Sequence, residues 1–247
     1  MQLKKYGLNL ISVTALGIGS VVGAGIFALL GQVIMMAGDQ TYYAFIIAGV
    51  AALFSGYSYS RLAAAYPDSG GLTDYFHIAF KKRWVVGTFS LIYMMTSAVS
   101  ICMMAKSFGI YAVKLFPHVQ DTNFFINAAA CFLIVGLAAL NMQRSKDVGN
   151  TEIVMVSIKM GILLSLIIAA LIHYDIAEKM QTIPFNEVKF MGSIGVTFFA
   201  FAGYGVITNA AGDVKNPQRT ITWGIFLTIL IVIGLYLALA FVALHFI

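Results

Sequence analysis

The chain has 247 residues, of which 60% are apolar and only 10% charged, and its mean hydropathy is +0.90. A soluble domain carries about a quarter of its residues as Asp, Glu, Lys or Arg, so these charges are too few to cover a globule; soluble enzymes and nucleic-acid binders are excluded. The formal net charge of +5 is not read as a basic binding face, because its meaning depends on where the charges fall.

A helix crossing the bilayer takes ~20 apolar residues, which leaves room for about seven crossings and predicts an all-α integral membrane protein. Lys4 and Lys5 precede a first apolar run, Ile11–Met36, that is much longer than a signal-peptide core of ~7–15 residues and is therefore a retained span. Tyr43–Leu62 is the second span. The connection from Ala63 to Arg83 carries Pro67, Gly70 and Gly71, then a stretch of mixed polarity suited to an interfacial helix. Trp84–Leu115, Phe124–Leu140 and Ile153–Ile172 follow as spans three to five. The segment from His173 to Phe190, with Pro184, leads to Met191–Ala211 and Ile221–Phe246. No low-complexity linker divides the chain, which reads as one transmembrane domain, 1–247. Cys102 and Cys131 sit in apolar runs without metal-ligand spacing and are expected to be small buried residues. His77, His118, His173 and His245 fall near loops and span ends as surface or interfacial residues, and Lys106 is expected to anchor the outer interface. No metal or cofactor set is present.

Charge sets the orientation. Lys4, Lys5, Arg61, Lys81, Lys82, Arg83, Arg144, Lys146, Lys215 and Arg219 share one side of this layout, against Lys114, Lys179 and Lys189 on the other. That asymmetry predicts a cytoplasmic N-terminus and an external C-terminus in the cell membrane.

Span one concentrates glycine in Gly19-Ser20-Val21-Val22-Gly23-Ala24-Gly25-Ile26-Phe27. At ~1.5 Å per residue from Leu10, Gly19 lies ~14 Å deep and Gly25 ~22 Å, bracketing the middle of a ~30 Å core. Span six runs the other way and carries Phe201-Ala202-Gly203-Tyr204-Gly205 at ~14–20 Å. Unwound backbone at that depth is tolerated only beside a protected cavity, where half-helix N-termini face anions and C-termini face cations. Neither stretch contains an ionisable residue, so backbone alone can hold both charged ends of a zwitterion such as an α-amino acid. The competing explanation is that Gly19 and Gly23 form a small-xxx-small helix contact.

These residues resemble a known family. Gly19 to Phe27 is similar to the first-helix signature of the amino acid–polyamine–organocation (APC) permeases, G-S-x-[IV]-G-[AST]-G-I-F. Tyr66-Pro67-Asp68-Ser69-Gly70-Gly71 resembles the turn after their second span. Phe199 to Tyr204, then Asp213-Val214-Lys215-Asn216-Pro217-Gln218-Arg219, are similar to their sixth-helix break and following loop. The chain departs from the pattern at Arg61 and Gly212, where acidic residues are common, and at Thr222, where proline is usual.

The resemblance implies a secondary active amino acid transporter, proton-coupled, and not an enzyme. It implies about twelve helices in two inverted five-helix repeats with discontinuous helices one and six. This chain would supply the first repeat (1–172) and two helices of the second (191–247). By position, Val21, Val22, Gly23, Ala24 and Gly25 would meet the substrate carboxylate. Phe201, Ala202 and Gly203 would offer carbonyls to the ammonium, with Phe201 as an aromatic lid. Lys159 is the ionisable residue well inside an otherwise clean span, ~15 Å from Gly149, and intramembrane charges are functional candidates by default. Glu152 lies two turns away on the same face. In sodium-independent members a fifth-helix lysine takes the place of a sodium ion between the first and eighth helices, and Lys159 matches that position. The alternative is a lysine merely bonded to backbone carbonyls.

A retinal-protein or receptor reading fails on orientation and on the lack of a lysine in span seven, and an intramembrane hydrolase lacks its H-E-x-x-H or G-x-G-D residues. The rival reading is a transport-inactive remnant, or one part of a split permease whose second polypeptide supplies the missing helices. Expected partners are an amino acid, protons and the lipid bilayer.

Overall fold

The computed structural model describes residues 8–67, 71–80, 82–116, 122–142, 148–172, 186–214 and 216–246. Lys4, Lys5, the Asp68–Gly70 part of the turn motif, Lys81, His118, Arg144, Lys146, His173, Lys179, Pro184 and Lys215 lie outside them, as does the side chain of Glu152. The described residues are helical apart from turns, short connections and a single parallel bridge between Leu8 and Val214.

The helices, in chain order, are α1 (Leu10–Val21), α2 (Ala24–Ala37), α3 (Thr41–Ala65), α4 (Leu72–Ala79), α5 (Arg83–Val113), α6 (Thr122–Met142), α7 (Val148–Ile172), α8 (Glu187–Ala200), α9 (Val206–Asn209) and α10 (Pro217–Phe246). Their ends follow local chemistry. Asn9 caps α1 by accepting from the Ser12 N–H at 2.8 Å, and Asn186 caps α8 by accepting from the Lys189 N–H at 3.0 Å. Pro217 opens α10 at the first helical position, where its missing N–H costs nothing. Pro67 follows the end of α3, and a helix, α4, forms in the connection where an interfacial helix was expected.

Among the described residues, five continuous stretches are long and apolar enough to cross a membrane: Gly25–Ala65, Arg83–Val113, Thr122–Ala139, Val154–Ile172 and Pro217–His245. The first has 41 residues, ~60 Å of helix and twice a ~30 Å core. It turns at Gly38, whose φ is +53°, so α2 and α3 are separate passes. The expected first and sixth spans are each broken, into α1 and α2 and into α8 and α9. This is an all-α, multi-pass membrane protein.

The chain forms two compact units. The first comprises Met1–Tyr75 and Gly149–Ile247, and the second Phe76–Val148. In the first, α10 buries Ile221, Ile225, Ile229, Val232 and Tyr236 completely or nearly so, a stripe at three- and four-residue steps. It faces α3, where Ala44, Ala48 and Ala52 are buried and Gly49 and Gly56 permit close approach. A Cβ on Gly49 would sit 2.6 Å from Ile233, and one on Gly56 2.7 Å from Ile229. Hydrocarbon is as apolar as leucine, so this close packing, rather than escape from water, holds the helices together.

In the second unit α5 packs on α6 through Ala105, Ser107 and Gly109, with Gly109 set against the Ile126 backbone. Phe89 of α5 stacks with Phe76 and Phe80 at 5.1 and 5.6 Å. Cys102 and Cys131 are exposed on these helices and not buried as expected. The reason is that a membrane helix is apolar on its outward face as well, so an apolar run does not distinguish the two. Lys106 and His77 are exposed.

Candidate functional site: two helix breaks and their clamps

The first break is narrower than the glycine-rich stretch suggests. Gly19, Ser20 and Val21 remain in α1, and Ala24 and Gly25 already belong to α2; only Val22 and Gly23 leave the helix. Val22 has φ −77° and ψ +76°, yet its N–H still bonds Ile18 O at 2.8 Å. Gly23, at φ −120° and ψ −160°, caps α2 with no side-chain hydrogen bond, and no acidic residue lies in the first turn. The positive end of α2 thus receives no side-chain cap. Val21 and Val22 are buried, and Gly23 is half-buried.

The second break runs from Phe201 to Gly205, as the sequence suggests. Gly203 adopts φ +130°, a backbone conformation open to glycine and strained for other residues. A Cβ there would lie 2.9 Å from the Ser20 carbonyl oxygen, so the second break packs against the last turn of α1, next to the first break. At Gly25, by contrast, a Cβ would find only Ala200 Cα, at 3.9 Å. Ala202 is exposed, Gly203 half-buried and Phe201 fully buried.

Two side chains clamp the breaks. The Lys159 ammonium donates to Gly19 O at 3.0 Å and to Val22 O, joining α7 to the carbonyl end of α1. A cation there answers the negative end of the helix. The Tyr236 hydroxyl of α10 lies 3.1 Å from both Val21 O and Ala200 O, touching the last carbonyl of α1 and of α8. Its ring packs against Phe201 at 5.1 Å and Phe45 at 5.8 Å, and Phe201 meets Phe45 edge-on at 6.5 Å. The Phe201 ring therefore sits in an aromatic cluster with α3 and α10. Tyr236 was not among the residues singled out from sequence.

Two broken helices packed side by side, one with its carbonyl end served by an ammonium and both touched by one phenol, define a membrane protein built around paired helix breaks. The family profile described as amino acid permease matches residues 8–247. The chain is 40% identical over 237 residues to the inner membrane transport protein YbaT of Escherichia coli, covering 96% of this chain and 55% of that protein. It is 28% identical to the branched-chain amino acid permease BcaP of Bacillus subtilis, over 96% of this chain and 54% of that one. It is 26% identical to the cationic amino acid transporter 9, chloroplastic, of Arabidopsis thaliana, over 95% and 44%. The chain belongs to the amino acid permease family. It spans about half the length of these relatives.

Proposed function

We propose that the paired breaks form the substrate core of a secondary amino acid transporter and not a catalytic centre. The uncapped first turn of α2, from Gly23 through Ala24 and Gly25 with Val21 and Val22 before it, receives the carboxylate. Carbonyls of Phe201, Ala202 and Gly203 receive the ammonium. The observation that carries this reading is the close approach of Gly203 in the second break to Ser20 in the last turn of α1, which supports a helix N-terminus and a helix C-terminus facing one ligand. Phe201 acts as a lid only when its ring leaves the aromatic cluster. Lys159 couples transport to protons by holding or releasing Gly19 O and Val22 O. On this reading residues 1–172 form one five-helix repeat and 191–247 begin its inverted partner, with the N-terminus cytoplasmic and the C-terminus external.

The test is binding of labelled amino acids to Gly25→Val in detergent or vesicles. A Cβ fits at Gly25, so methyl groups beyond it enter the ligand's space; binding is expected to vanish while membrane insertion persists. Unchanged binding would favour helix packing as the role of these glycines.

Length favours a second reading, in which these residues act with further helices, on the same polypeptide or on a second one. Reconstitution of the 247 residues alone and measurement of gradient-driven uptake separates the two: saturable uptake sinks the second.

A further inference from the structure

The corner between α4 and α5 is folded back on itself by aromatic rings. Phe76 of α4 and Phe80 just after it, one turn apart, both stack on Phe89 of α5, at 5.1 and 5.6 Å. That leaves Lys82 and Arg83 at the bend, both exposed, with Lys81 before them in the sequence. Beside them in the chain, Ile78, Phe80 and Trp84 are exposed as well, Trp84 by 71%. The described residues of the second unit carry Lys82, Arg83, Lys106 and Lys114, and among them there is no Asp or Glu. Asp74 lies in the first turn of α4, the end away from the bend. Lys114, past the other end of α5, stands over the Tyr111 ring at 5.8 Å. Among the described residues, no side-chain hydrogen bond, ion pair or ring contact holds Lys82 or Arg83 in the same way.

Depth narrows what can answer these charges. α5 has 31 residues, ~46 Å of helix, against ~30 Å of hydrocarbon and ~40–45 Å with the headgroup layers included. Its ends therefore reach headgroup depth, the level at which tryptophan settles. Water there would solvate the two cations and leave Ile78, Phe80 and Trp84 bare. A phospholipid supplies a phosphate for the first and acyl chains for the second. We propose that the α4–α5 corner binds an anionic phospholipid: Lys82 and Arg83 take the phosphate, and Ile78, Phe80 and Trp84 receive the glycerol end of its acyl chains. The proposal depends neither on the substrate-core reading nor on which leaflet holds the corner.

The chain has two tryptophans, so Trp223→Phe leaves Trp84 as the single reporter. The full chain carrying that substitution is reconstituted in vesicles of phosphatidylcholine with a fixed fraction of phosphatidylglycerol. Either the phosphatidylglycerol or an equal amount of the phosphatidylcholine is brominated near the glycerol, and the ratio of Trp84 quenching reads the local preference. Brominated phosphatidylglycerol is expected to quench more strongly. Lys82→Gln and Arg83→Gln should each lower the preference about fivefold, the equivalent of ~1 kcal/mol per cation, and Lys82→Arg should retain it. Lys114→Gln removes the same charge from the far end of α5 and should leave the preference unchanged. These side chains are exposed, so the glutamine variants at the corner should melt like the parent in phosphatidylcholine alone. Equal quenching by the two lipids, or a preference that survives both corner substitutions, overturns the proposal. An equal loss in Lys114→Gln also overturns it, because net charge would then explain the effect. Inorganic phosphate at constant ionic strength should not displace the lipid; if it abolishes the preference, the corner takes a free anion and the lipid assignment fails.

Discussion

Two glycine-to-alanine substitutions, Gly203 in the second break and Gly25 in the first turn of α2, test how closely the backbone packs around the breaks. At Gly203 an added Cβ would lie 2.9 Å from Ser20 O, 3.0 Å from Ser20 C and 3.1 Å from Ser20 Oγ. Two of those atoms are backbone and cannot rotate away. The φ of +130° adds strain of ~1–3 kcal/mol for an L side chain, and forced overpacking costs ~1–3 kcal/mol more. Gly203→Ala should therefore destabilise the fold by roughly 2–6 kcal/mol. At Gly25 the same methyl meets only Ala200 Cα, at 3.9 Å, on helical backbone where alanine gains ~0.5–1 kcal/mol over glycine. Thermal melting in one detergent checks both. With a shift of about 2–4 °C per kcal/mol for a chain of this size, Gly203→Ala should lower the midpoint by at least ~4 °C, while Gly25→Ala holds or raises it. Equal small effects would refute the geometry, which has backbone crowding at Gly203 and only ordinary van der Waals contact at Gly25.

Lys159→Ala should abolish the pH dependence of coupled uptake without creating a sodium requirement; a strict sodium requirement in the parent contradicts the coupling role. Tyr236→Phe should destabilise the chain by ~1–3 kcal/mol, read as a melting shift, because Val21 O and Ala200 O lose their phenol donor. Reporter fusions after Lys146 and after Lys179 should show cytoplasm and exterior respectively, and the reverse pattern sinks the orientation. Burial, opposed by the Thr208 hydroxyl and aided by Asp74, raises the Tyr75 phenol above its ordinary pKa of 10.0. Its neutral form is thus fully compatible with folding below that value. As pH rises past it the unfolded chain ionises first and stability falls. Tyr75→Phe should flatten that alkaline loss in a denaturation series.

Span positions were legible because hydrocarbon imposes one rule on every residue that crosses it. Tyr43–Leu62 became Thr41–Ala65, and Trp84–Leu115 became Arg83–Val113, within a few residues. The width of the first break was not legible. Glycine lowers helix propensity by ~1 kcal/mol relative to alanine but keeps its N–H. Backbone in a membrane retains every hydrogen bond it can, so Gly19 and Gly25 stayed helical. Val22 and Gly23 unwind where the neighbouring lysine and tyrosine can serve the exposed carbonyls. Tyr236 was missed because a lone phenol in an apolar run reads as an ordinary aromatic. A signal existed: the stripe Ile221, Ile225, Ile229, Val232 continues in register to Tyr236, which puts the hydroxyl on the protein-facing side, where it needs a partner. The cysteines failed for the complementary reason, since α5 and α6 show no polar face that would tell outward from inward.

The backbone groups at the breaks divide by sign. The carbonyls of Gly19, Val21, Val22 and Ala200 accept from Lys159 or Tyr236, while α2 begins at Gly23 without any side-chain cap. On the proposed reading this asymmetry orders the binding events. A carboxylate reaches donors that no side chain caps, whereas an ammonium at the Phe201, Ala202 and Gly203 carbonyls has as its adjoining acceptor Ala200 O, which Tyr236 already serves. A phenol has one proton to give, so Tyr236 cannot fully satisfy Val21 O and Ala200 O together. The carboxylate then sets affinity, and the ammonium, through its competition with Tyr236, reports to α10 that the site is filled. An amino acid analogue lacking the ammonium should accordingly still bind, yet leave Tyr236 fluorescence, measured against Tyr236→Phe, unchanged. If the analogue and the full zwitterion alter that signal equally, the ammonium does not act through this phenol.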